Sequence, residues 1–133
     1  MKRSADYYLN RKMLKSVDEN IKFYPKLKDV EKWFNILNEQ IFGNKLPSFT
    51  KITVKKLHRT HAFYVYWPKS EGIEPELEIH RYFRSEKFFV EILAHEMIHH
   101  FQHCYDEPLG HGPSFTAWHD NLKLKGLTLY KAT

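Results

Sequence analysis

Hydrophobic and polar positions along this chain change period twice, and the changes divide it into helix, sheet and helix again. Residues 4–21 place Ala5, Tyr8, Leu9, Val17 and Ile21 roughly on one side of a helix. Pro25 interrupts that pattern, and residues 22–28 read as a connection. Asp29 reads as an N-cap, after which Val30, Trp33, Phe34, Leu37 and Ile41 follow the helical period to about Phe42. Gly43 and Asn44 close this second helix, and Pro47 prevents its continuation. From Thr50 the period falls to two. Thr50–Leu57 alternates, with Ile52 and Val54 opposite Lys51, Thr53 and Lys55. His61–Trp67 sets Phe63, Val65 and Trp67 against Ala62, Tyr64 and Tyr66, and Glu76–Tyr82 sets Leu77 and Ile79 against Glu76, Glu78 and His80. Connections near His58–Thr60 and Pro68–Pro75 make an antiparallel meander the simplest arrangement of these three strands.

The helical period returns after Ser85, a second N-cap, with Glu86 near the positive end of the helix dipole. Val90, Leu93, Ala94, Met97, Phe101 and Cys104 form an apolar stripe, and Ile92, His95, Glu96, His99 and His103 lie beside it. A helix so divided suits the floor of a cleft. Asp106–Gly110 stops it, and Pro113 opens a fourth helix running to about Leu124, with Phe115, Trp118 and Leu122 as its apolar face and Gly126 beyond its end. The predicted fold class is α+β: a small antiparallel three-stranded sheet packed with about four helices.

Composition narrows the setting. At 133 residues, 42% of them hydrophobic, the chain is long enough to bury a core as one domain. It has neither a long apolar run nor a basic start followed by a secretory apolar region, so no membrane span is predicted and an intracellular protein is expected; a monomer is a separate expectation. Its single cysteine, Cys104, allows no internal disulfide and no cysteine-based zinc site, and is expected to be a buried small hydrophobe. Residues 1–28 carry eight basic and three acidic groups and so hold the whole of the +5 net charge. A solvated lysine-rich helix explains this basic arm, and so does a surface for phosphate backbone. Residues 29–133 are then the folded domain.

The chemistry concentrates in His95-Glu96-Met97-Ile98-His99. On a helix, positions four apart share a face, so both imidazoles can reach one divalent ion, and Glu96 on the flank of that face can serve as general base towards water. A catalytic zinc site takes three protein ligands and keeps a fourth position open. His100 lies about 100° round the helix from His99 and points elsewhere. His103 shares the face but lies about 12 Å along the axis from His95. Ligand nitrogens on zinc must approach to about 3.4 Å, so the third ligand comes from a segment that turns back. His111, flanked by Gly110 and Gly112 after the helix break, fits, and His119 is the alternative. Activated water attacking a peptide carbonyl, with Glu96 taking the proton and passing it to the leaving amine, cleaves the peptide bond. Tyr64, Tyr66, His80 and Tyr105 are candidate oxyanion donors besides the metal, set against packing roles for most of them.

His95-Glu96-Met97-Ile98-His99 followed by Gly110-His111-Gly112-Pro113-Ser114-Phe115, with 11 residues between His99 and His111, resembles the SprT-like zinc metallopeptidases, the family that includes Spartan. The resemblance extends over roughly residues 29–125 through a helix with Trp33, Phe34 and Phe42, a small sheet and then the metal helix. It implies a zincin-like domain with one zinc ion on His95, His99 and His111 and Glu96 as general base. It also implies a protein substrate crosslinked or bound to DNA, in the manner of DNA–protein crosslink repair, with activation by single-stranded or junction DNA. Many relatives carry a cysteine-rich zinc ribbon that this chain lacks. DNA contacts would then fall to Lys2, Arg3, Arg11, Lys12 and Lys15 of the arm, to Lys51, Lys55, Lys56 and Arg59, or to Tyr64, Tyr66 and Trp67 stacking on bases, for which packing in the core is the alternative. Glu71, Glu74, Glu76 and Glu78 would repel DNA locally. The competing reading is a DNA-associated regulatory or binding protein with a mainly structural zinc site, in which a fourth ligand such as His119 closes the coordination.

Overall fold

The computed structural model describes residues 21–132. The predicted helix over 4–21, and with it Lys2, Arg3, Arg11, Lys12 and Lys15, falls almost wholly outside the described residues. Within them the order is α1 (Leu27–Gln40), β1 (Lys51–Lys55), β2 (Ala62–Val65), a 3-10 turn at Lys69–Glu71, β3 (Glu76–His80), α2 (Glu86–Cys104), α3 (Pro113–Thr116) and α4 (His119–Lys123). The architecture is α+β, with one three-stranded sheet.

That sheet is mixed, not an antiparallel meander. Its order is β1-β3-β2, with β1 parallel to β3 in the register Ile52 to Leu77 and Val54 to Ile79, and β2 antiparallel to β3. Burial follows that order. Leu77 and Ile79 are wholly buried, whereas Ile52, Val54, Tyr64 and Val65 are only partly so. A middle strand is covered along both edges, whereas β1 and β2 each keep one open edge. The connection over residues 56–61 need only step across one intervening strand, about 10 Å.

Helix α1 begins earlier than the sequence suggested. Lys26 occupies the cap and Asp29 stands three residues inside, where its carboxylate accepts the Lys26 backbone N–H at 2.8 Å. Upstream, Phe23 pairs with Phe83 through two 2.8 Å backbone hydrogen bonds and packs on Phe89. Gly43 and Asn44 both take positive φ after α1, as a helix terminus there requires.

Helix α2, the third helix of the sequence reading, carries more than one apolar stripe. Every residue from Phe88 to Ile98 is buried, so the helix is the centre of the domain rather than one wall. Ser85 caps it through a 3.1 Å bond from the Phe88 N–H. Trp33 and Phe42 from the α1 side, Leu77 and Ile79 from the sheet, Phe83 and Phe89 around α2, and Phe115 from α3 complete the core. Cys104 is half-buried at the end of α2, with its sulfur 3.7 Å from His100 Nδ1, and is not a core residue.

The predicted helix from Pro113 to Leu124 breaks in two. At Ala117 and Trp118 the backbone tightens, with the Trp118 N–H bonding to Phe115 O at 3.2 Å. The break turns the Trp118 ring onto Phe42 and Phe101, at centroid distances of 4.7 and 5.0 Å. After α4 the chain returns along α2. The Thr128 N–H donates to the buried Glu91 carboxylate at 2.6 Å, and Leu127, Leu129 and Tyr130 pack against the core. Among the described residues no helix is long and apolar enough to cross a membrane.

Candidate metal centre

His95 and His99 lie one helical turn apart on α2, and the chain then reverses so that His111 faces them. The reversal starts where Asp106 adopts φ +55° and the Glu107 N–H bonds back to Gln102 O at 2.9 Å. Gly110 follows at φ +117°, a conformation side chains rarely adopt. His99 Nε2 is 3.1 Å and His111 Nε2 3.4 Å from His95 Nε2, and one ligand atom from each of the three histidines lies within 4.8 Å of the others. Two of these separations match the roughly 3.4 Å expected between nitrogens on one zinc ion.

Hydrogen bonding establishes what those nitrogens offer. His95 Nδ1 lies 2.6 Å from the carbonyl oxygen of Tyr130, which can only accept, so Nδ1 carries the proton and Nε2 a lone pair. His99 Nδ1 donates likewise to Gln102 Oε1 at 2.9 Å. Two imidazole lone pairs therefore face each other at 3.1 Å, an arrangement that repels unless a cation lies between them. Burial pushes His95 down to about 4, with the neighbouring His99 and His111 adding to the effect against the Tyr130 hydrogen bond. Burial also lowers His99. Neutral imidazoles are the form a metal ion binds. The donor set thus fits a divalent ion such as zinc.

Phe115, wholly buried, packs against all three rings, at centroid distances of 4.9 Å to His95, 5.4 Å to His99 and 4.7 Å to His111. Glu96 is buried beside them, with Oε1 3.9 Å from His95 Nε2. The cluster opens into a cleft of about 310 Å³ between β2 and the 109–111 loop. Phe63, Tyr66 and Leu109 stand exposed around it.

The other candidates lie elsewhere. His103 sits against Tyr66 at 5.6 Å, away from the cluster. His119 is exposed and faces Asp120 at 3.1 Å. His100 donates from Nε2 to Pro47 O at 2.8 Å, so its Nδ1 accepts the Tyr64 hydroxyl at 2.9 Å. Tyr64 spends its proton on that bond and is not an oxyanion donor. His80 accepts the Leu57 N–H, and Tyr105 donates to Lys45 O. Tyr66 is exposed at the cleft rather than packed in the core, and Trp67 is half-buried. Lys51, Lys55, Lys56 and Arg59 are all exposed along and after β1, with Lys55 paired to Glu78 at 3.3 Å. Sequence reasoning missed Gln102 and the Tyr130 carbonyl. The spacing of Gln102, three residues after His99 on one helix face, was a usable signal; nothing in the sequence marks a backbone carbonyl far along the chain.

A pH dependence follows from the buried histidines. Metal-free protein should lose stability as pH falls from about 6.5 towards about 4. In that window the unfolded imidazoles take up protons that folded His95, and in the same direction His99 and His100, refuse. His95 alone accounts for on the order of 3 kcal/mol across the window. Chemical denaturation at a series of pH values in chelator checks this; a flat profile over that range contradicts it.

The family model for SprT-like proteins matches residues 30–131 of the chain. No curated protein matches it.

Proposed function

This chain belongs to the SprT-like family, and from that membership and its histidine cluster we propose that it is a zinc-dependent endopeptidase of zincin-like build that acts on proteins held on DNA. The observation that carries the reading is the convergence of two outward lone pairs from His95 and His99 on His111, with a buried carboxylate beside them in an open cleft. His95, His99 and His111 would hold the ion. Bound there, zinc supplies Lewis-acid chemistry, making water nucleophilic near neutral pH and polarising a carbonyl.

The remaining work belongs to the chain. Glu96 orients the attacking water, takes its proton on a carboxylate oxygen and returns that proton to the amine nitrogen as the peptide C–N bond breaks. Tyr130 O and Gln102 Oε1 keep the His95 and His99 rings in the tautomer that presents Nε2 to the ion. Strand β2 lies at the edge of the sheet and lines the cleft, so an extended substrate segment can run alongside it. Closing the coordination with a fourth histidine would favour a structural zinc. His119 is the histidine available for that role, and it stands outside the cluster.

DNA association rests on charge. Lys51, Lys55, Lys56 and Arg59 belong to the β1 side of the sheet, and β3 separates β1 from β2 at the cleft. A duplex or single strand on the β1 side would leave the β2 side free for a protein attached to it. The basic residues of 1–20 would add positive charge for the same partner. The test is cleavage of a DNA-binding protein by zinc-loaded enzyme, alone and with single- or double-stranded DNA. Faster cleavage with DNA, falling steeply with salt, is expected. Absence of cleavage in every arm would remove the protease reading, and DNA-independent cleavage would remove the DNA part of it.

A further inference from the structure

We propose that Gln102 is a positioning residue that couples the seating of the His111 loop to the tautomer of His99, so that the two halves of the metal centre form together. The proposal rests on the reading of His95, His99 and His111 as a metal site. Gln102 is wholly buried, and both ends of its amide are engaged. Oε1 accepts from His99 Nδ1 at 2.9 Å. Nε2 donates to Gly110 O at 3.1 Å and to Ser114 Oγ at 3.0 Å. Ser114 in turn donates to Pro108 O at 2.6 Å, which closes the loop around His111.

The direction of the amide is chemically fixed. A carbonyl oxygen cannot donate, so the group facing Gly110 O must be the NH₂. Oε1 is thereby left facing His99, where it requires the Nδ1–H tautomer and turns the Nε2 lone pair towards His95 and His111. When the 108–114 loop leaves, nothing on that side distinguishes the two ends of the amide. A flipped Gln102 would then offer NH₂ to His99, stabilise the Nε2–H tautomer and block metal binding on that nitrogen. The loop thus delivers a ligand, His111, and prepares a second one by way of Gln102. His99 and Gln102 share a face of α2, and Gly110 precedes His111 directly, so the linkage is short at both ends.

Two substitutions separate the two ends. Gln102→Met removes both hydrogen-bonding functions at similar volume. Gln102→Glu keeps an acceptor for His99 but loses the donors to Gly110 and Ser114. Zinc affinity by chelator competition should fall about 10–100-fold in Gln102→Met. In Gln102→Glu the loss should be smaller and should vanish when His111 is already replaced by Ala, because only the loop half is affected; Gln102→Met should keep a residual loss in that background. In metal-free protein, imidazole nitrogen NMR should report the Nδ1–H tautomer of His99 in the native chain and in Gln102→Glu, and a mixture of tautomers in Gln102→Met. Amide exchange over residues 108–114 should rise in both variants.

Native affinity, tautomer and exchange in folded Gln102→Met would overturn the proposal. If that variant fails to fold, Gln102→Glu and Ser114→Ala decide it, and unchanged loop exchange in both would overturn it. A native chain that binds no zinc refutes the metal reading instead, while the tautomer and exchange measurements on metal-free protein still decide the coupling.

Discussion

Replacing Glu96 with Gln is expected to lower peptide cleavage by about 10²–10⁴-fold, the span that general base catalysis supplies, without loss of zinc. Glu96 is 3% exposed, so Gln fits the same space, and the three clustered nitrogens come from other residues. An amide oxygen still accepts a hydrogen bond from water, but it takes no proton at neutral pH, so the attacking water keeps its proton and the leaving amine receives none. Turnover of a flexible protein substrate and metal content should be measured on the same preparation. Cleavage at the native rate by the zinc-loaded variant would sink the role of Glu96. Loss of zinc together with activity would mean that the carboxylate holds the site together rather than working in it.

The second large effect is on metal itself. His111→Ala should weaken zinc binding by more than about 100-fold, beyond the cost of disturbing a residue that only supports a ligand. Its ring touches His95, His99 and Phe115 and is otherwise exposed, so the metal-free fold should melt within a few degrees of the native chain. Competition with a chelator of known affinity measures the first effect, and a thermal melt in excess chelator the second. Undiminished zinc affinity would place the third ligand elsewhere, with His119 the next residue to replace. A large fall in the metal-free melting temperature would show the ring to be a structural element.

The two effects bear on how much of this molecule is legible before folding. The pentapeptide from His95 to His99 and the segment from Gly110 to Phe115 named the three histidines that the fold brings together, because helical spacing and a glycine-flanked turn are local geometry. The elements themselves were also legible, since Val30, Trp33, Phe34 and Leu37 keep the helical period and Leu77 and Ile79 alternate. Strand order was not. Periodicity tells which face of Glu76–His80 is buried, yet it carries no record of which strands pair, and β3 takes the middle through pairings with strands distant in sequence. The break at Trp118 was hidden for the same reason, because it satisfies a ring contact with Phe42, far away in sequence. Asp29 was misassigned by three residues because an acidic side chain serves equally at the cap and just inside it. The tautomer of His95 depends on a backbone carbonyl, and a backbone carbonyl has no signature in residue type.

That last contact has a consequence in time. His95 and Tyr130 are separated by 35 positions, and a chain lengthening at about 5–20 residues per second needs roughly 2–7 s to pass from one to the other. For most of that interval the nascent chain already has His95, Glu96 and His99 but not the carbonyl that turns the first histidine's lone pair outward. The fully oriented metal site that the proposed function requires would therefore form only after the segment that carries Tyr130 has been synthesised and laid across α2.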